Sequence, residues 1–119
     1  SEATLRELQV EMIDRFGLLP DAVKNLFRVT ALKLLAEPMG VTKIEVGKLD
    51  GRMLFGPEPA IDAQKLVELI QDNPDQYRFE GGSKLRFNGD FDDEEDRYRM
   101  VTDILATLDT GEHRETANA

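Results

Sequence analysis

Apolar residues recur at helical spacing at Leu5, Leu8, Met12 and Phe16, which predicts an amphipathic helix over residues 3–16 with this stripe turned inward. Thr4 and Glu7 stand in capping-box spacing at its start, and Gly17 followed by Pro20 reads as its stop. Pro20 and Asp21 open a second helix, over 20–37. Val23, Leu26, Phe27, Thr30 and Leu34 make one stripe of it, with Val29, Leu32 and Leu35 on the far side. A helix apolar nearly all round is usually sandwiched, which places this one at the centre of the domain. Pro38 and Gly40 end it. Residues 41–48 then alternate, with Ile44 and Val46 on one side. Asp50-Gly51 is a hairpin-turn signal, and Arg52 to Phe55 reads as the return strand with Met53 and Phe55 inward. A third helix is predicted over 61–72, with Ile61, Leu66, Leu69 and Ile70 as core candidates and Asn73-Pro74 as its stop. Tyr77 and Phe79 alternate, Gly81-Gly82 turns, and Leu85 and Phe87 alternate back. The last helix, over 92–108, carries Tyr98, Val101, Ile104, Leu105 and Leu108. Residues 110–119 have no apolar period and read as a disordered tail.

The order ααββαββα, with two hairpins between helices, predicts an α+β fold: a small, mainly antiparallel sheet packed with helices. With 119 residues, 40% of them hydrophobic and 33% charged, the chain suits one domain over residues 1–109. It has no cysteine, which removes disulfides, thiolate metal sites and cysteine nucleophiles together and agrees with a cytoplasmic location. No apolar run approaches the ~20 residues that span a bilayer. The opening Ser1-Glu2-Ala3-Thr4 lacks the order of a secretory leader and an initiator methionine, and reads as the start of a fragment. The net charge of −9, from 24 acidic and 15 basic residues, disfavours nucleic acid and anionic membranes as direct ligands. A basic protein surface is the natural partner of such a chain, although the same charge also serves plain solubility.

Catalytic side chains are scarce. The only histidine, His113, falls in the tail, and the only serines are Ser1 and Ser83. A Ser-His-Asp arrangement needs a base held at hydrogen-bond distance, and one histidine cannot supply a usual zinc site. The acids from Asp90 to Asp96 miss EF-hand spacing and read as capping for the last helix. Gly81-Gly82 sits between strands, not between a strand and a helix, and reads as a turn rather than a phosphate cradle. A carboxylate enzyme or metal binder stays as a reading of the many acids. A nucleic-acid accessory domain stays as a reading of Arg78, Lys84 and Arg86 on the second hairpin. No catalytic, cofactor-binding or metal-binding residue is assigned.

The first helix carries the most informative pattern. At 100° per residue, Leu5, Leu8, Met12 and Phe16 fall within about 80° of arc, while Glu7, Glu11 and Asp14 fall within about 60° on another face. Val10 lies beside the acids. Carboxylates around a small apolar contact make a candidate protein interface of Glu7, Val10, Glu11 and Asp14. The pattern is also that of an ordinary solvated helix face, and Glu11 with Arg15 at i,i+4 can satisfy part of the acidity within the helix.

Glu7 to Pro20, with its Asp14-Arg15-Phe16-Gly17-Leu18-Leu19-Pro20 core, resembles a signature of the C-terminal domain of bacterial transcription-repair-coupling factors. Ala31-Leu32-Lys33, Gly40 to Ile44, Tyr77-Arg78-Phe79 and Lys84 to Phe87 continue the likeness, which covers about 5–105. Residues 57–75 and the tail are not diagnostic, and the acids of 90–96 are heavier than in the family's pattern. The resemblance implies a non-catalytic, autoinhibitory domain, monomeric as a fragment and without a cofactor of its own. The parent would be an ATP- and magnesium-dependent DNA translocase that displaces stalled RNA polymerase and recruits nucleotide excision repair. The domain would dock on the parent's own N-terminal UvrB-like module and mask the surface that binds UvrA. Glu11 and Asp14 match the family's contact positions; Glu7 joins them only through the helical wheel.

Overall fold

The computed structural model describes residues 1–16 and 20–111, with the backbone alone over 11–16. Contacts divide the chain into two compact units, Ser1–Leu35 and Ala36–Ala119. The first holds helix α1 (Glu2–Phe16) and all but the last residue of α2 (Asp21–Ala36). The second holds a 3-10 turn (Glu37–Met39), β1 (Val41–Val46), β2 (Asp50–Phe55), α3 (Ala63–Asp72), β3 (Tyr77–Glu80), β4 (Lys84–Asn88) and α4 (Glu94–Leu108). The ααββαββα order and the α+β class agree with the sequence pattern.

In the first unit, α1 is capped by Ser1 and not by Thr4. The amide of Thr4 donates to Ser1 Oγ at 3.2 Å, and that of Leu5 to the Ser1 carbonyl at 3.1 Å. A serine hydroxyl at this position satisfies an amide that the helix itself leaves open. At the start of α2 the amides of Val23 and Lys24 both bond the Pro20 carbonyl. α2 is not the sandwiched helix that its composition predicts. Leu26, at 65% exposure, Val29 and Leu34 all face solvent, and its buried positions are the small Ala31 and Ala36. Good helix formers build the helix whether or not its apolar faces are covered.

The second unit is built on a four-stranded antiparallel sheet in the order β1-β2-β4-β3. Each hairpin contributes two strands, and β2 against β4 joins the hairpins, with Met53 opposite Leu85 and Gly51 opposite Phe87. Side chains alternate faces along a strand, so one face carries Met53, Phe55, Leu85, Phe87 and Tyr77, all buried. α4 supplies the matching stripe, Val101, Ile104, Leu105 and Leu108, each no more than 2% exposed. Full burial of one such aliphatic side chain is worth ~1.5–3 kcal/mol. Burial also pushes the Tyr77 phenol up from its ordinary range, with the charge of Asp103 adding to the effect.

The turn of the first hairpin lies at residues 47–49 and not at Asp50-Gly51, which are already in β2. The amide of Gly47 donates to the Asp50 carbonyl at 2.8 Å and closes the loop. Gly51 serves packing instead. A Cβ there would stand 2.6 Å from two carbons of the Phe87 ring and 3.0 Å from the Glu45 carbonyl oxygen. The second hairpin turns as predicted, with Gly81 and Gly82 at φ 60° and 72°, where a side chain is strained.

α3 starts at Ala63, capped by Asp62, whose Oδ1 accepts from the Lys65 amide at 3.2 Å. Ile61, predicted inside this helix, instead bridges to Asp109. Leu66 is the buried position of α3, and Leu69 and Ile70 are half-buried. α4 is capped by Asp93, whose Oδ1 accepts from the Asp96 amide at 2.8 Å, with Glu94, Glu95 and Asp96 in the first turn. The acidic run therefore acts as helix-start chemistry, as expected. Within it sits a core residue that the pattern hides: Phe91, 5% exposed, edge-on to Phe87 at 6.1 Å between centroids. Met39, between Pro38 and Gly40, is a second hidden core residue, at 1% exposure. Of the tail predicted over 110–119, Thr110 and Gly111 are described, with the Gly111 amide donating to Asp109 Oδ1 at 2.9 Å, and residues 112–119, including His113, lie outside the described residues.

Two substitutions test this packing. Gly51→Ala forces the Phe87 ring aside and is expected to cost about 1–3 kcal/mol in denaturant unfolding. Asp93→Ala removes the α4 cap and is expected to cost about 1 kcal/mol. A metal-site role for the acidic run would instead make that loss depend on divalent cations.

Candidate protein interface

The α1 backbone carries Glu7, Glu11 and Asp14 along one side of the helix, with Val10 next to them. Glu7 is exposed and makes no ion pair among the described residues, and Val10 is 57% exposed. The acid that does pair on this helix is Glu2, which accepts from the Arg6 guanidinium at 2.5 Å one turn on. The side chains of Glu11 and Asp14 lie outside the described residues, as does the expected pairing of Glu11 with Arg15. Of the predicted inward stripe, the side chains of Met12 and Phe16 lie outside the described residues. Leu5 is half-buried, but Leu8 is 46% exposed. α1 thus offers apolar surface at both Leu8 and Val10, and the period predicted only the second.

A second polar surface is assembled by strand pairing. Opposite the core, the sheet carries two rows of side chains that run across all four strands. One row is Glu45, Arg52, Arg86 and Arg78; the other is Lys43, Leu54, Lys84 and Glu80. Glu45 Oε1 accepts from Lys43 Nζ at 2.7 Å, and Glu45 Oε2 accepts from Arg52 at 2.8 Å. These two charge-assisted bonds hold the Glu45 carboxyl below the usual carboxylate range, that to Lys43 first and that to Arg52 second. Glu80 accepts from Arg86 Nε at 2.9 Å and stands 3.9 Å from Arg78. The second hairpin's Arg78, Lys84 and Arg86 were visible in the sequence. Lys43 and Arg52 were not, because nothing local announces that β2 lies against β4.

Among the described residues there is no buried polar or charged side chain, Tyr77 aside, and no group of three histidine, cysteine, aspartate or glutamate residues placed to hold a metal ion. No described helix is long and apolar enough to cross a membrane. What the described surface displays is exposed charge and isolated apolar side chains.

The model of the TRCF domain matches residues 1–66, more than half of the chain and including α1, α2 and the first hairpin. The chain belongs to the TRCF domain family. It is similar to the transcription-repair-coupling factor of Haemophilus influenzae, 45% identical over 108 residues, which are 91% of this chain and 9% of that protein. The Escherichia coli transcription-repair-coupling factor is 32% identical over 109 residues, 92% of this chain and 10% of that protein. That of Bacillus subtilis is 45% identical over 65 residues, 53% of this chain and 6% of that protein. This TRCF domain thus spans about a tenth of the length of its Haemophilus and Escherichia relatives.

The exposed side chains of α1 are expected to be free of structural duty. Val10→Ser is expected to change the unfolding free energy by less than ~0.5 kcal/mol. Leu105→Ala in the core is expected to cost about 2–5 kcal/mol. Thermal unfolding of the two variants checks the contrast, and a large loss at Val10 would mean that α1 buries it.

Proposed function

We propose that this TRCF domain is a non-catalytic, autoinhibitory protein-interaction module at the C-terminal end of a cytoplasmic transcription-repair-coupling factor. Residues 1–109 act as one regulatory domain. The acidic side of α1, with Glu7, Glu11 and Asp14 around Val10, docks on a basic surface of the parent's own N-terminal UvrB-like module. Docking masks the surface to which UvrA would bind. The parent is an ATP- and magnesium-dependent DNA translocase that displaces stalled RNA polymerase and recruits nucleotide excision repair, and its motor chemistry lies outside this chain.

The observation that carries the reading is an exposed valine beside an exposed carboxylate that makes no ion pair among the described residues, on a helix capped by Ser1. Apolar surface left in water at that position has no role in the described fold. A neighbouring anion gives the contact its orientation.

The energetics suit a latch. Exposed ion pairs are worth about 1 kcal/mol or less each. Two or three of them, with one small apolar contact, hold a closed state only a few kcal/mol below the open one. The chain connecting the two modules raises their effective concentration, so weak contacts suffice inside one molecule. Binding that favours the open state, such as engagement of polymerase, then releases the UvrA surface.

In the full-length factor, Glu7→Ala, Glu11→Ala and Asp14→Ala together are expected to strengthen UvrA binding. Between the separated modules, the triple variant is expected to weaken docking about tenfold, the equivalent of ~1.4 kcal/mol. Wild-type docking should weaken as salt rises. Calorimetry of the separated modules at several salt concentrations measures both effects. Unchanged affinity in the triple variant removes α1 from the latch.

A further inference from the structure

We infer that the outer face of the sheet is a second interaction surface, built to receive an acidic protein segment. Its two central rows place five cations, Lys43, Arg52, Arg78, Lys84 and Arg86, among only two carboxylates, Glu45 and Glu80. This excess of positive charge sits on a chain whose net charge is −9. It is also open to solvent: the side chains of Arg78, Lys43 and Arg86 are 78%, 56% and 46% exposed.

The seam between the hairpins is the telling place. Arg52 lies directly opposite Arg86, and Arg86 directly opposite Arg78, so three guanidinium groups stand side by side on neighbouring strands. Like charges directly across a ladder destabilise it. A sheet selected for stability alone would alternate signs there, as β1 and β2 do with Glu45 opposite Arg52. The two carboxylates only partly relieve the repulsion. Glu45 is shared between Arg52 and Lys43, Glu80 is shared between Arg86 and Arg78, and Lys84 makes no ion pair among the described residues. Carboxylates arriving from outside would complete the set, and the planar guanidinium fork favours paired oxygens.

The spacing fits an extended peptide. The arginine and lysine rows are two residues apart along each strand, about 7 Å, which is also the separation of side chains i and i+2 on an extended chain. Acids at alternate positions would therefore meet one row each. Leu54, half-buried between Lys43 and Lys84, supplies an apolar contact within the charged field. Open clefts border Arg86 on either side, one reaching Glu45 and Arg52 and the other reaching Gln76 and Arg78.

Nucleic acid shares the negative charge but fits less well. Neither row holds an aromatic side chain on which a base could stack. Glu45 and Glu80 stand inside the field, Asp50 stands at its end opposite Asn88, and the whole-chain charge repels a polyanion at long range. A protein segment needs only a few local carboxylates and gains from Leu54.

The test is an amide-resolved NMR titration of the isotope-labelled chain with two probes: a synthetic peptide of alternating glutamate and leucine, and single-stranded oligothymidine. The peptide is expected to shift the amides around Arg52, Leu54, Lys84 and Arg86, with an affinity that falls as salt rises. Arg52→Glu with Arg86→Glu is expected to weaken it at least tenfold. Should that reversal unfold the sheet, Lys84→Gln with Arg86→Gln gives the same reading with less disturbance, and each variant's amide spectrum reports its fold. Tighter binding of oligothymidine at this face overturns the proposal in favour of nucleic acid. Absence of shifts with the peptide, or shifts that survive charge removal in a folded variant, overturns it as well. The proposal is independent of the α1 latch, because none of these substitutions touches α1.

Discussion

The pairing of β2 with β4 decides most of what this molecule is. It joins two hairpins, each too small to be stable alone, into one sheet. Because side chains alternate along a strand, the register that sets Met53 against Leu85 in the dry interior also sets Arg52 against Arg86 in water. A slip of one residue would exchange the two faces, burying arginine and exposing methionine. Core and charged surface are thus two consequences of one set of backbone hydrogen bonds. The close approach of the Phe87 ring to Gly51 helps to fix that register, since only glycine leaves room for it.

The rest of the second unit is arranged around that sheet. α4 gives the core buried residues spaced three and four apart, and its start is held by an aspartate cap and an acidic first turn. The segment before it is not a passive link. The Phe91 amide bonds the Lys48 carbonyl at 2.7 Å, its carbonyl accepts from Arg97 Nε at 2.9 Å, and its ring lies against Phe87. One aromatic residue thereby ties the first hairpin's loop, the fourth strand and the last helix together.

The two candidate surfaces have opposite sign and different origins. The acidic one is drawn by the period of a single helix in the first unit. Two of its four residues, Glu7 and Val10, are found exposed. The basic one exists only because strands from two hairpins meet.

The sequence by itself determined the α+β order, both hairpins, the glycine turn at Gly81-Gly82 and the aspartate-rich start of α4. These rest on interactions between residues a few positions apart, whose spacing is written along the chain. The outward placement of Glu7 and Val10 on α1 was legible for the same reason. Only the tertiary structure decided that Asp50-Gly51 is strand and not turn, that Leu8 and Leu26 stay in water, that Phe91 and Met39 are core, and that Arg52 stands beside Arg86. Each of these depends on a partner far away in sequence, or on whether any partner covers a face at all. Local periodicity carries no record of either, because it fixes which side a residue takes and not what lies on that side.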